Sequence, residues 1–167
     1  MSLKEKLNAD LLEEDYEEDE DTQVDKFLTF LLCQEEYGIE IRYVTEIIGI
    51  QNITEVPDMP HYIKGVINLR GKVIPVMDVR QRFSLQERAY DDRTCIIVIN
   101  IDEQSVGLIV DRVSEVLDIP EAQVEPSPKV KSGESSRYIQ GMGKVGNRVK
   151  ILLDARQLMF DPDQEYN

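Results

Sequence analysis

The chain repeats itself, and that limits the folds open to it. YGIEIRYVTEII at residues 37–48 lies over VGLIVDRVSEVL at 106–117 without a gap, a shift of 69 (106 minus 37). Gly38 matches Gly107, Val44 matches Val113 and Glu46 matches Glu115, while Ile39/Leu108, Ile41/Val110, Ile47/Val116 and Ile48/Leu117 keep the apolar positions. The same shift lays residues 27–32 on 96–101. Further on, HYIKG at 61–65 lies over RYIQG at 137–141, and VIPVMDVRQ at 73–81 over VKILLDARQ at 149–157, now with a shift of 76 (137 minus 61). The added residues fall in 120–136, a loop rich in Pro, Ser and Lys where insertions are best tolerated. A unit of about 60 residues is marginal alone, so two copies must bury a face against each other. The joint between them is a natural seat for a ligand or partner.

Each copy reads as a series of short strands. Residues 27–32 form a continuous apolar run of strand length, and Tyr37, Ile39 and Ile41 alternate with polar or small neighbours. Val44, Ile47 and Ile48 have the spacing of a helical turn, as do Val113, Val116 and Leu117, although their β-branched side chains leave a strand open. Residues 53–56 form a short extended piece before Pro57 and Pro60. Val66 to Leu69 and Val73 to Met77 flank Arg70-Gly71 as a β-hairpin. Pro75 predicts an edge strand or a bulge. Asp78 predicts a helix cap, with Gln81 completing a capping box. In the second copy Gly146-Asn147 makes the turn, Val149, Ile151 and Leu153 share a face, and Asp154 caps a last helix through Phe160. Five strands per copy predict a mainly β protein of two small closed or nearly closed barrels.

The charge is uneven. The net charge is −14, and residues 1–23 carry ten acids and two lysines, or −8. That disfavours a basic nucleic-acid face. It predicts a solvated, disordered acidic tail over 1–25, although Leu3, Leu7, Leu11 and Leu12 have helical spacing. Two cysteines and no signal-like start predict a reducing cytoplasm, and no apolar run reaches membrane length. His61 is the single histidine, which disfavours histidine zinc sites and most Ser/His or Cys/His catalysis. No phosphate loop, CxxC, HExxH or EF-hand spacing occurs, so neither cofactor nor metal is expected. Glu40, Glu46, Asp78, Asp111 and Glu115 each have a simpler role at a strand edge or cap than in paired-acid hydrolysis. The copies differ where the turn needs nothing special: Arg70-Gly71 faces Gly146-Asn147. An arginine at that corner meets water or a partner, because unpaired burial is costly.

The motifs YGIEI at 37–41, IKGVINLRGKVIPVMDVR at 63–80, VGLIVDRVSEVL at 106–117 and ILLD at 151–154 resemble the chemotaxis coupling protein family, CheW. The resemblance covers residues 26–160, with repeat halves at 26–83 and 94–160 whose strands are free to exchange, and a carboxyl-terminal tail at 161–167. It implies two SH3-like five-stranded β-barrels around a shared core. It also implies an adaptor joining the cytoplasmic tip of methyl-accepting receptors to the histidine kinase CheA, through that kinase's CheW-like regulatory domain. Arg70 looks like the arginine this family uses in coupling. Lys64, Gly65 and Asn68 near it, Val44, Glu46 and Ile47 in the first half, and Val116 in the second fall on other coupling positions. Such an adaptor would be a monomer in isolation and would reach the membrane only through its partners. The alternatives are a same-fold adaptor of another receptor–kinase array, such as one controlling pilus motility, and a small paired-carboxylate hydrolase.

Overall fold

The computed structural model describes Glu5, Leu7, residues 23–126 and residues 137–160. Eleven strands run β1 (Lys26–Leu32), β2 (Glu35–Glu40), β3 (Val44–Gly49), β4 (Ile63–Leu69), β5 (Lys72–Asp78), β6 (Cys95–Ile101), β7 (Gln104–Val110), β8 (Arg112–Asp118), β9 (Val124–Glu125), β10 (Ile139–Val145) and β11 (Arg148–Leu153). The two short helices described are α1 (Val79–Arg82) and α2 (Ala155–Phe160). The repeat holds element by element: β1, β2 and β3 recur as β6, β7 and β8, and β4, β5 and α1 recur as β10, β11 and α2.

The sheets do not follow the sequence halves. One has the order β8-β1-β2-β11-β10-β9 and the other β3-β6-β7-β5-β4. Each half therefore gives its first hairpin to one sheet and its third strand and last hairpin to the other. Two short parallel ladders join the exchanged pieces, through Leu152↔Gly38 in one sheet and Val76↔Gly107 in the other. Gly38 and Gly107 are repeat counterparts, as are Leu152 and Val76. A Cβ on Gly38 would lie 3.0 Å from Leu152, and one on Gly107 would lie 2.9 Å from Val76. The shared glycine thus lets the strands of one half close on those of the other.

Alternation gives each barrel its own interior and leaves a third core between them. Ile67, Ile74, Val76, Ile96, Val98 and Ile109 fill the β3–β7 barrel. Phe27, Ile119 and Leu152 fill the other. The opposite strand faces meet in a shared core, where Phe30, Tyr37, Phe83 and Tyr138 form a chain of rings 5.8–6.0 Å apart. Full burial of each large aliphatic side chain contributes about 2 kcal/mol. The Arg82 guanidinium lies 4.1 Å from the ring of Tyr62 and 4.7 Å from that of Tyr138, so one cation is held between two repeat counterparts. The matching position in the second half is the buried Leu158.

Several expectations change. Val44–Gly49 and Arg112–Asp118 are strands, not helical turns. Each carries a bulge: Val44 and Glu46 oppose neighbouring residues Ile99 and Val98, and Val113 and Val116 oppose Phe30 and Leu28. The extra residue brings positions three apart to one face, which imitates helical spacing. Pro75 is neither on an edge strand nor at the bulge. It lies in the inner strand β5, one residue before the ladder to β7 begins at Val76, where no donor is needed. Asp78 caps α1 by accepting from the Gln81 N–H at 3.2 Å, but the capping box does not close. Gln81 instead donates its side-chain amide to Glu87, and Tyr62 O takes the Asp78 N–H. Ile151 and Leu153 do share the face toward the common core, whereas Val149 is 52% exposed. The opposite face of β11 is buried too, and it carries Lys150.

The acidic stretch before residue 23 lies outside the described residues except at Glu5 and Leu7. Leu7 is 5% exposed and belongs to the shared core, so a wholly solvated tail does not hold at that residue. At the start of β1 the Asp25 carbonyl accepts from the Ile119 N–H at 2.8 Å. Residues 161–167 lie outside the described residues.

Candidate functional site

The β4–β5 hairpin turns at Arg70 and Gly71, with φ of 51° and 88°, and Asn68 fastens it by accepting from the Gly71 N–H at 2.8 Å. Positive φ at two successive residues matches the right-handed twist of the flanking strands. The Arg70 side chain is 70% exposed and ion-paired to Glu46 on β3. β3 and β4 are the two edges of their sheet. The pair therefore reaches across the open seam of the barrel and fixes a cation at its outer corner. In the second copy Gly146 stands where Arg70 does, so the same pair cannot form there.

The remaining expected residues fall into two other groups. Val44 and Ile47 are buried in the shared core, 8% and 2% exposed, and half-buried Val116 packs against the same core from β8 in the other sheet. Both halves thus converge on the junction, with Val116 the accessible member of the three. Lys64 is six residues from Arg70 along β4, roughly 20 Å away at strand rise. It faces Glu87 at 3.9 Å and helps line a shallow depression with Asp78, Arg88 and Tyr90. Gly65 has φ of 145°, and a Cβ there would lie 2.1 Å from the Thr54 carbonyl, which bonds to Val66 N–H. Its demand is conformational.

The carboxylates of Glu40, Glu46, Asp78 and Asp111, weighed for the hydrolase alternative, each meet a protein partner. Asp111 accepts two bonds from Arg80, both 2.7 Å, and one from the Cys33 N–H at 2.8 Å, with Arg88 at 3.3 Å. Burial pushes its carboxyl up, but these bonds and charges outweigh it and hold it below the usual range. Asp78 accepts from the Tyr90 hydroxyl at 2.6 Å. Burial first and Asp78 second push the Tyr90 phenol up. Glu40 pairs with Arg42 at 2.9 Å, and the backbone of Glu115 bonds with Thr29. Among the described residues no group of three His, Cys, Asp or Glu could hold a metal ion.

Sequence reasoning missed a buried pair inside the barrel of the β8-β1-β2-β11-β10-β9 sheet. Lys150 bonds to Glu36, with Arg148 at 3.4 Å, and the two side chains are 6% and 12% exposed. The Lys150 hydrogen bond is the main reason the Glu36 carboxyl sits below its usual range. The counterpart of Lys150 is Ile74, in the other barrel's apolar interior.

Residues 26–162 match the family model of the CheW-like domain. The chain belongs to that family. A chemotaxis protein CheW from Klebsiella aerogenes is 41% identical over 134 residues, covering 80% of this chain and 81% of that one. One from Bacillus subtilis is 36% identical over 135 residues, covering 81% and 86%. The crystal structure of a scaffolding protein, TtCheW from Thermoanaerobacter tengcongensis, superposes with a TM-score of 0.75 at 37% identity, over 81% of this chain and 92% of that one. The CheW-like assignment accords with the two exchanged sheets and supports a chemotaxis adaptor. No helix among the described residues is long and apolar enough to cross a membrane.

Proposed function

We propose that this CheW-like chain is a non-catalytic adaptor that couples methyl-accepting chemoreceptors to the histidine kinase CheA, binding the kinase through its CheW-like regulatory domain. The observation that carries the proposal is the Arg70–Glu46 clasp: an exposed cation, held in one orientation, between the two edge strands of the sheet. A cation fixed in advance loses little freedom when it meets a carboxylate or carbonyl. Asn68 shapes that corner, and Val116 and Lys64 offer separate contacts at the junction and at the far end of β4. Val44, Ile47 and Gly65 support these surfaces from within. The partners already held by Glu40, Glu46, Asp78 and Asp111 favour binding over hydrolysis. The protein works in the cytoplasm, as a monomer when alone, and is held to receptor arrays by its partners.

Calorimetric titration of the full chain with a kinase regulatory domain and with a receptor-tip fragment tests the reading. One-to-one binding of each is expected, with Arg70→Ala weakening at least one tenfold or more. Absence of binding to both would overturn it.

A further inference from the structure

Lys150 and Glu36 meet in one barrel, at the positions that Ile74 and Ser105 hold in the other. Lys150 stands two residues before Leu152, and Glu36 two before Gly38, the residue that Leu152 faces. Ile74 and Ser105 stand in the same way before Val76 and Gly107. The Lys150 and Glu36 side chains are 6% and 12% exposed, so the pair is largely desolvated. A desolvated ion pair adds little stability over an apolar filling of the same space, and an apolar filling is what Ile74 supplies in the other barrel. Stability therefore does not account for the charges.

The repeat creates an ambiguity that the charges can resolve. β5 closes on β7 and β11 closes on β2, each across the two halves. Backbone ladders do not read side chains, and both receiving strands offer a glycine at the contact, Gly38 and Gly107. The hairpin ends are fastened alike too: the Asp78 N–H donates to the Tyr62 carbonyl and the Asp154 N–H to the Tyr138 carbonyl, both at 2.8 Å. With β11 on β7 instead, Leu152 would meet Gly107, and Lys150 would enter the interior formed by Ile67, Ile96, Val98 and Ile109. Ser105 holds the Glu36 position there, so the amine would be buried without its carboxylate. We infer that Glu36–Lys150 is a pairing key, which admits β11 to β2 and bars it from β7, so that one of two similar closures is populated. Such a key acts by penalising the wrong partner more than by strengthening the right one.

The test refolds the full chain from denaturant and reads proton–proton contacts from the Leu152 methyls by nuclear magnetic resonance. In the parent, Leu152 should touch Gly38 and not Gly107. Glu36→Ser with Lys150→Ile gives both barrels the same filling. This double variant should fold and show contacts to both glycines, the mispaired form rising about a hundredfold, as expected once no buried charge is stranded by it. The reversed pair, Glu36→Lys with Lys150→Glu, should keep the contact to Gly38 alone. A double variant with the parent's single contact would overturn the inference, because something else would then choose the pairing. A double variant that does not fold would overturn it as well, since the inference holds that the second barrel closes on this filling as the first does. So would a reversed pair that mispairs as much as the uncharged one.

Discussion

Glu46 on one edge of a five-stranded sheet holds Arg70 at the hairpin tip of the opposite edge. The pair spans the seam between β3 and β4, and Gly146 at the matching position of the other copy cannot form it. A surface ion pair adds little to stability, so its use lies in orientation. Arg70→Ala and Glu46→Ala should both melt close to the parent chain. Exchanging the charges, Arg70→Glu with Glu46→Arg, restores a clasp but reverses the corner. Partner titration should therefore show binding still lost in the exchanged variant. Recovery would mean that the clasp matters and the arginine does not.

Lys150 and Glu36 fill barrel space that Ile74 fills in the other copy. Breaking a buried pair from one side strands a charge, so Lys150→Ile or Glu36→Ser alone should cost about 3 kcal/mol in denaturant unfolding. The double variant copies the other barrel, where Ile74 and Ser105 stand. It should recover most of that loss, and additive losses would show that the two residues are not coupled.

Acid should weaken the fold through Glu36 and Asp111. Both carboxyls are held below their usual range, the first mainly by Lys150, the second by Arg80 and its neighbours against the effect of burial. Depressed groups contribute stability that is complete above their unfolded pKa and lost as pH falls through the folded one. Unfolding free energy should be flat near neutrality and fall below about pH 5. Glu36→Gln should lower the plateau and make the acid slope shallower. An unchanged slope would remove Glu36 from this role.

Gly65→Ala separates support from contact. With φ of 145° and the Thr54 carbonyl 2.1 Å from a new Cβ, the substitution strains the fold. A loss on the order of 3 kcal/mol is expected, visible as a lowered melting temperature before any partner is added. A normal melt with lost binding would instead place Gly65 at a contact surface.

Much of this was legible in the residues. The repeat, the Arg70-Gly71 hairpin and the Asp78 and Asp154 caps depend on local turn and cap chemistry, which sequence carries directly. β3 and β8 were misread because a bulge resets strand periodicity to three, and nothing in VTEII or VSEVL marks a bulge. The exchange of strands between sheets was left open because period and propensity do not say which strand a strand will pair with. The Lys150–Glu36 pair escaped notice because its members are 114 residues apart and meet only once β2 and β11 lie in parallel. Of the candidate site, the Arg70 corner could be read from the asymmetry between copies. The burial of Val44 and Ile47 could not, since it arises from the second sheet covering β3.

The most direct measurement is sedimentation of the full chain mixed with a kinase regulatory domain and a receptor-tip fragment. An adaptor with separate surfaces at the Arg70 corner and the barrel junction should give one species containing all three, and Arg70→Glu should leave at most a two-component complex. If the two partners displace each other from the chain, or if neither co-sediments with it, the coupling account is wrong.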